Sequence, residues 1–275
     1  MSNPAMSPPA TPAAEGTAGS LAMPRQIPFD APWSWLAAGW RDMWQIPHLS
    51  LTYGAVFAIS AAVLAIILWT QNWLALFIAL AGGFLLLGPM VGAGFYDASR
   101  RLAAGQPVSL KTMVTAGFRA RGQLVFFGAV LLFAYLLWVR LAFLMLMLFL
   151  GTGALPPPAE FMSTLLFSQH GLALLIAGTL VGGCIAALVF VISVVAVPDL
   201  LVRPVDAVSA ARSSIRACAA NPKPMMLWAG LIAMMMASGF ATAMLGLVVA
   251  FPLIGHATWH AYCDLTGYDQ TRTTD

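Results

Sequence analysis

Long apolar runs alternate with short polar segments along this chain, and the alternation comes in blocks. Leu49 to Thr70, Trp73 to Phe95, Leu124 to Leu150 and His170 to about Val202 are almost free of charge. Each reaches the roughly 20 residues that a helix needs to cross hydrocarbon, and each predicts a span. Met225 to Leu265 carries no charge before Asp264. As one helix it would measure about 60 Å, twice the hydrocarbon thickness, so the pattern divides near Gly239 to Ala243 into a fifth and a sixth span.

The polar segments have their own periodicity. Asp30 is placed to cap a helix that Pro32 begins. Within Phe29 to Pro47, Trp33, Leu36, Trp40 and Trp44 recur at spacings of three or four. Tryptophan favours the headgroup zone, so this reads as a helix lying on the membrane. Ser109 to Gln123, with Lys111, Arg119 and Arg121, and Val205 to Ala220, with Arg212 and Arg216, predict two more interfacial helices. Gln71-Asn72 reads as a tight turn, and Gly151 to Pro158, ending in a triple proline, as another. Glu160 to Gln169 is a short amphipathic piece. The second span continues into Tyr96 to Arg101, and the fourth emerges at Asp199.

These blocks suggest a threefold repeat. Eight residues after Pro89, Pro198 and Pro252 stand Asp97, Asp206 and His260, each followed by alanine. Gly39-Trp40-Arg41, Gly117-Phe118-Arg119 and Ser214-Ile215-Arg216 also correspond, and Pro47 and Pro222 follow Arg41 and Arg216 by six residues. Each unit would be an interfacial helix, a span, a turn, and a span ending in a polar extension.

Composition agrees with a membrane chain. Of 275 residues 60% are hydrophobic and 8% charged, with mean hydropathy +0.86; soluble domains carry roughly 25% charged residues. The short alternating segments of a β-barrel are absent. The expected fold is an all-α integral membrane domain over 27–265, with six transmembrane helices and three interfacial ones. Residues 1–26, rich in Ala, Pro, Ser and Thr, are expected to be a disordered tail and not a signal peptide. Residues 266–275 form a C-terminal tail.

Net charge +3 with pI 9.0 reflects basic segments flanking spans, not a nucleic-acid surface. Arg25 and Arg41, then Arg100 to Arg121, then Arg203 to Lys223 all fall on one side of the predicted topology, and the opposite loops lack Lys and Arg. The positive-inside rule puts that side, both termini included, in the cytoplasm. Cys184, Cys218 and Cys263 have no CxxC spacing and read as free packing thiols.

Few residues carry candidate chemistry. Arg140 lies inside the third span; such a charge costs at least ~2.5 kcal/mol at the bilayer centre. It would snorkel to lipid phosphate, pair with Glu160, or mark an anion site. His256, His260 and Asp264 share one helical face, and two histidines a turn apart can ligate zinc, haem iron or copper. Cys263, Asp97 and Asp206 are nominal further ligands; hydrogen bonding at the interface is the plainer use of these imidazoles. Pro89, Pro198 and Pro252 each remove a helix hydrogen bond and are candidate hinges. Gly88/Gly92 and Gly178/Gly182 have small-xxx-small spacing for close packing. Met225, Met226, Met234, Met235 and Met236 wrap their helix and read as packing residues. No phosphate-binding loop, dinucleotide fingerprint or nucleophile constellation is present, and the chain reads as a non-enzyme.

The ending Pro252-Leu-Ile-Gly-His-Ala-Thr-Trp-His-Ala-Tyr262, with Trp35 to Trp44 leading into the first span, resembles an uncharacterised family of proteobacterial integral membrane proteins. Some members carry a cytochrome c oxidase subunit I-like label. The resemblance covers roughly 27–265 and implies a bacterial inner membrane. It departs at Cys263, where a basic residue is expected. An oxidase core would need more spans and several intramembrane histidines. The expected role is a non-enzymatic accessory or scaffold of a membrane complex. The alternatives are a small-solute or lipid transporter using Arg140 and the proline hinges, and a haem or metal protein using His256 and His260.

Overall fold

Proline sets the joints of this fold. The computed structural model describes residues 25–119, 122–151 and 156–270. Helix α1 (Ala31–Gln45) stops at Ile46, because the ring of Pro47 disfavours helical geometry in the residue before it. Pro47 then opens α2 (Pro47–Thr70). The same joint recurs at Asn221-Pro222. Ile46 has φ −131° and ψ 53°, and Asn221 has φ −131° and ψ 52°. Asp30 stands at the start of α1, but its side chain makes no capping bond.

After the turn at Asn72 (φ 62°), α3 (Leu74–Val91) and α4 (Ala93–Ala103) form one rod broken at Gly92, three residues past Pro89. The Tyr53 hydroxyl donates to the Val91 carbonyl there, at 3.3 Å. Helix α5 (Leu110–Arg119) folds back on α4, and α6 (Gly122–Leu150) follows. Helix α7 (Pro158–Phe167) precedes α8 (Gln169–Ser193), whose first turn is capped by Ser168 accepting from Gly171. Four residues before Pro198 the rod breaks again, and α9 (Ala196–Val202) continues it. Helices α10 (Ala207–Ala220) and α11 (Pro222–Ala241) follow. A turn with Ala243 and Met244 in the left-handed region leads into α12 (Leu247–Thr266), which Gly267 ends at φ 65°. The division of the long apolar run thus falls where the sequence places it. No strand occurs among the described residues.

Five stretches are long and apolar enough to cross a membrane: Pro47–Thr70, Leu74–Ala103, Gly122–Leu150, Gln169–Val202 and Pro222–Ala241. Helix α12 has 20 residues, as many as α11, yet falls outside that group. The reason is composition: His256, Thr258, His260 and Asp264 lower its hydropathy. Thirteen of its 20 residues are buried, against three of 29 in α6. A helix enclosed by protein can carry His256, Thr258, His260 and Asp264 where a lipid-facing helix cannot.

The helices arrange themselves in two levels. At one end α4, α9 and α12 touch one another. Helix α1 lies on α12, α5 on α4, and α10 on α9. This end holds every described Lys and Arg except Arg140. Helix α1 turns Trp35, Gly39 and Met43 inward and leaves Trp33, Trp40 and Trp44 exposed. In the apolar level the hairpins α2/α3, α6/α8 and α11/α12 stand side by side, with α2 packed on α12 and α3 on α6.

Close approaches fall at glycines. A Cβ on Gly39 would lie 2.6 Å from the Ala257 nitrogen, and one on Gly54 2.6 Å from the Val248 carbonyl oxygen. Val248 lies four residues before Pro252, so its carbonyl lacks a helix partner. Pro252 itself leaves α12 unbroken.

Residues 1–24 of the expected tail over 1–26, the side chains of Phe118, Arg119 and Arg121, the centre of the 151–158 turn and residues 271–275 lie outside the described residues. Arg25 and Ile27 are tied down: the Arg25 amide donates to the Leu265 carbonyl, and the Ile27 amide to Asn221 Oδ1. Residues 267–270 turn back onto α12, with Tyr268 against Trp259 and Tyr262.

Candidate functional site

The side chains with candidate chemistry gather where α12 leaves the apolar level. His256 is wholly buried between α2 and α4. Its Nε2 lies 2.9 Å from Ser50 Oγ and its Nδ1 2.8 Å from Ser99 Oγ. A ring with one N–H and one bare nitrogen satisfies both hydroxyls, donating to one serine and accepting from the other. Phe95 closes over the ring, with centroids 5.2 Å apart.

One turn on, His260 Nε2 donates to Asp42 Oδ2 of α1 at 2.8 Å. One turn further, Asp264 Oδ2 accepts from the indole nitrogen of Trp35 at 2.7 Å. The three side chains share a face as the spacing predicts, but each is turned to a different partner. Among the described residues no group of three His, Cys, Asp or Glu side chains could hold a metal ion. His256 could bind one only by giving up a serine.

Opposite this face, Tyr262 donates to Asp199 Oδ1 at 2.8 Å, and Arg203 pairs with the same oxygen. Asp199 is 1% exposed, so its charge depends on these two donors. Burial works against the Arg203 charge, but the hydrogen bond and charge of Asp199, with Tyr262, outweigh it and hold the guanidinium above its ordinary range. Asp97 accepts from Arg100 at 2.6 Å and Arg101 at 2.7 Å within α4.

Two polar residues repair the backbone. Ser214 Oγ accepts from the Val195 amide at 3.2 Å and donates to the Val191 carbonyl at 2.7 Å. It thus replaces the helix bond lost between α8 and α9. Asn221 accepts from Ile27 and donates to the carbonyls of Arg25 and Ala217, strapping the entering chain to α10. Among the described residues Trp228 Nε1 has no hydrogen-bond partner; its ring stands edge-on to Trp35.

Other positions fare differently. Asp206 is not on an extension like Asp97 and His260, because α9 ends at Arg203. It caps α10, accepting from Val208 and Ser209, and its bonds to the Ser209 hydroxyl and amide lower its pKa. Cys218 and Cys263 are buried free thiols, and burial pushes Cys218 up to about 12. Arg140 is exposed on the side of α6, and no ion pair joins it to Glu160, itself exposed at the start of α7.

The sequence singles out His256, His260 and Asp264. It gives no hint of Ser50, Ser99, Asp42 or Ser214, short polar side chains whose roles depend on what the fold brings against them.

A family model described as "Predicted integral membrane protein (DUF2189)" matches residues 76–202, somewhat under half of the chain. The match runs from α3 to the end of α9, through three of the five apolar stretches. The chain is an integral membrane protein. No curated protein and no solved structure matches it. The α12 motif, where the sequence resemblance is most specific, lies beyond the matched residues.

Proposed function

We propose that this is a six-span, non-enzymatic accessory or scaffold protein of a bacterial inner membrane. Both termini and the interfacial helices α1, α5 and α10 lie on the cytoplasmic side. The observation that carries the role is the use made of the reactive side chains. His256, His260, Asp264 and Asp199 each tie α12 to another element or to a second buried residue. They are spent on holding a platform rigid.

Helix α12 is the sixth span in this reading. Its enclosure supplies the physical reason for its lower hydropathy, and its return to the basic end fits the charge asymmetry. The threefold repeat draws support from the matching joints at Ile46 and Asn221. It also draws support from contact order, since each interfacial helix rests on the extension of the preceding unit, the first closing on the third.

The metal reading is weakened by the engagement of both His256 nitrogens. Solute transport through Arg140 is weakened because the large interhelical cavity is lined without it. The test is mild-detergent purification from native membranes. A discrete partner at fixed stoichiometry supports the scaffold role. A solitary protein with transport activity or a visible-range cofactor spectrum defeats it.

A further inference from the structure

The apolar level is a ring with one open seam. Three equivalent neighbours would close it: the second helix of each hairpin against the first helix of the next. Helix α3 packs on α6 and α12 on α2, but among the described residues α8 and α11 have no comparable contact. Beneath the gap the basic end is closed, with α10 against both α8 and α9. The open seam leads into a cavity of about 740 Å³ floored by α3 and α12.

The glycines mark the difference between seams. At the closed α3/α6 seam a Cβ on Gly83 would lie 2.6 Å from the ring of Tyr135, and at the α2/α12 seam Gly54 is equally tight. Around the open seam Gly178 and Gly183 of α8, Gly230 of α11 and Gly88 of α3 have no atom within 4 Å of an added Cβ. These positions are cleared of side chains without a helix filling the space.

The lining says what can fill it. Among the described residues no charged side chain borders the cavity. At its inner end Ser193 and Thr258 donate to the Val189 and Ile254 carbonyls of their own helices, and the Trp138 indole donates to the Ala79 carbonyl. The space runs from Ala75 to Tyr96 along the α3–α4 rod, about 30 Å of rise and close to the hydrocarbon thickness. It is long, apolar and open sideways at membrane depth. Its volume is that of a pocket for one small ligand.

We propose that this cleft is a binding site for one acyl chain of a bilayer phospholipid, entering between α8 and α11. The Tyr96 hydroxyl also borders the cavity and hydrogen-bonds Thr258, so a head group or quinone ring would find these donors already engaged, whereas a hydrocarbon chain needs none. The bilayer supplies that chain directly at the opening.

The protein is placed in nanodiscs of a single phosphatidylglycerol carrying a diazirine on one acyl chain, irradiated, and its cross-linked peptides are mapped. Adducts on the inner faces of α8 and α11, at 178–187 and 229–233, are expected; adducts confined to the exposed side of α6 would overturn the site. In a second arm, lipids retained after detergent extraction from native membranes are identified by mass spectrometry. A phospholipid at fixed stoichiometry supports the proposal, and a quinone, a polyprenyl lipid or nothing refutes it. Gly183→Leu with Gly230→Leu, checked for unchanged melting, should lower retention about tenfold, one decade of affinity; unchanged retention places the lipid elsewhere.

Discussion

Asp42 of α1 and His260 of α12 are 218 residues apart in the chain and 2.8 Å apart in the fold. The contact fastens the first described helix, α1, to the last, α12. Neither partner is fully buried, so the bond acts as a positioned latch more than a buried charge pair. Asp42→Ala should lower stability by about 1–3 kcal/mol. A double-mutant cycle with His260→Ala, read by thermal unfolding in detergent, should give a coupling of at least about 0.5 kcal/mol. Additive losses would mean that the two side chains act independently.

Ser214 takes the place of a helix hydrogen bond. Ser214→Ala leaves the buried Val195 amide without its acceptor and the Val191 carbonyl with only the Cys218 thiol, 3.9 Å away, a loss of about 1–3 kcal/mol. Hydrogen exchange should show faster amide exchange at Val195, centred on the α8/α9 break. Uniform acceleration along α8 would point to general loosening instead.

Much of this architecture is legible in the sequence. The joints at Pro47 and Pro222, the turn at Asn72 and the division between α11 and α12 follow from local chemistry, because proline and positive φ act on one or two residues. The pairing of Asp42 with His260, or of Asp199 with Tyr262, cannot be read that way. Those pairs depend on which helix faces which, and charge spacing along one helix is silent about its neighbour. Asp206 shows how counting residues misleads. Eight positions past its proline it matches Asp97 and His260, but α9 stops at Arg203 and leaves Asp206 to start the next helix.

The close approach of α2 to α12 rests on Gly54. A side chain there meets the Val248 carbonyl and the Pro252 ring, and neither is flexible. Gly54→Leu should cost at least the ~1–3 kcal/mol of overpacking and reduce the folded yield in membranes. Gly178→Ala, at the open seam, should leave yield and melting unchanged. Equal damage from both would mean that the third seam is closed in the membrane.

The α10 cap has a sign in its pH dependence. Asp206 is held below its ordinary pKa of 3.8 by the bonds it accepts. Its contribution is therefore complete above that value and is lost as pH falls through the lower folded value. The protection of the Val208 and Ser209 amides, taken relative to the intrinsic exchange rate at each pH, should fall in acid in the wild type. In Asp206→Ala it should be low already at neutral pH. An acid response of the same size in the variant would assign the effect to another group.

The proposal that α12 is an enclosed sixth span is tested most directly by the side on which α12 ends. Fusions of a fluorescent protein and of alkaline phosphatase after Asp275, expressed in a bacterial inner membrane, report that side. The account expects a fluorescent fusion and an inactive phosphatase, with the end of α12 in the cytoplasm beside α1. An active phosphatase with a dark fluorescent fusion would contradict it.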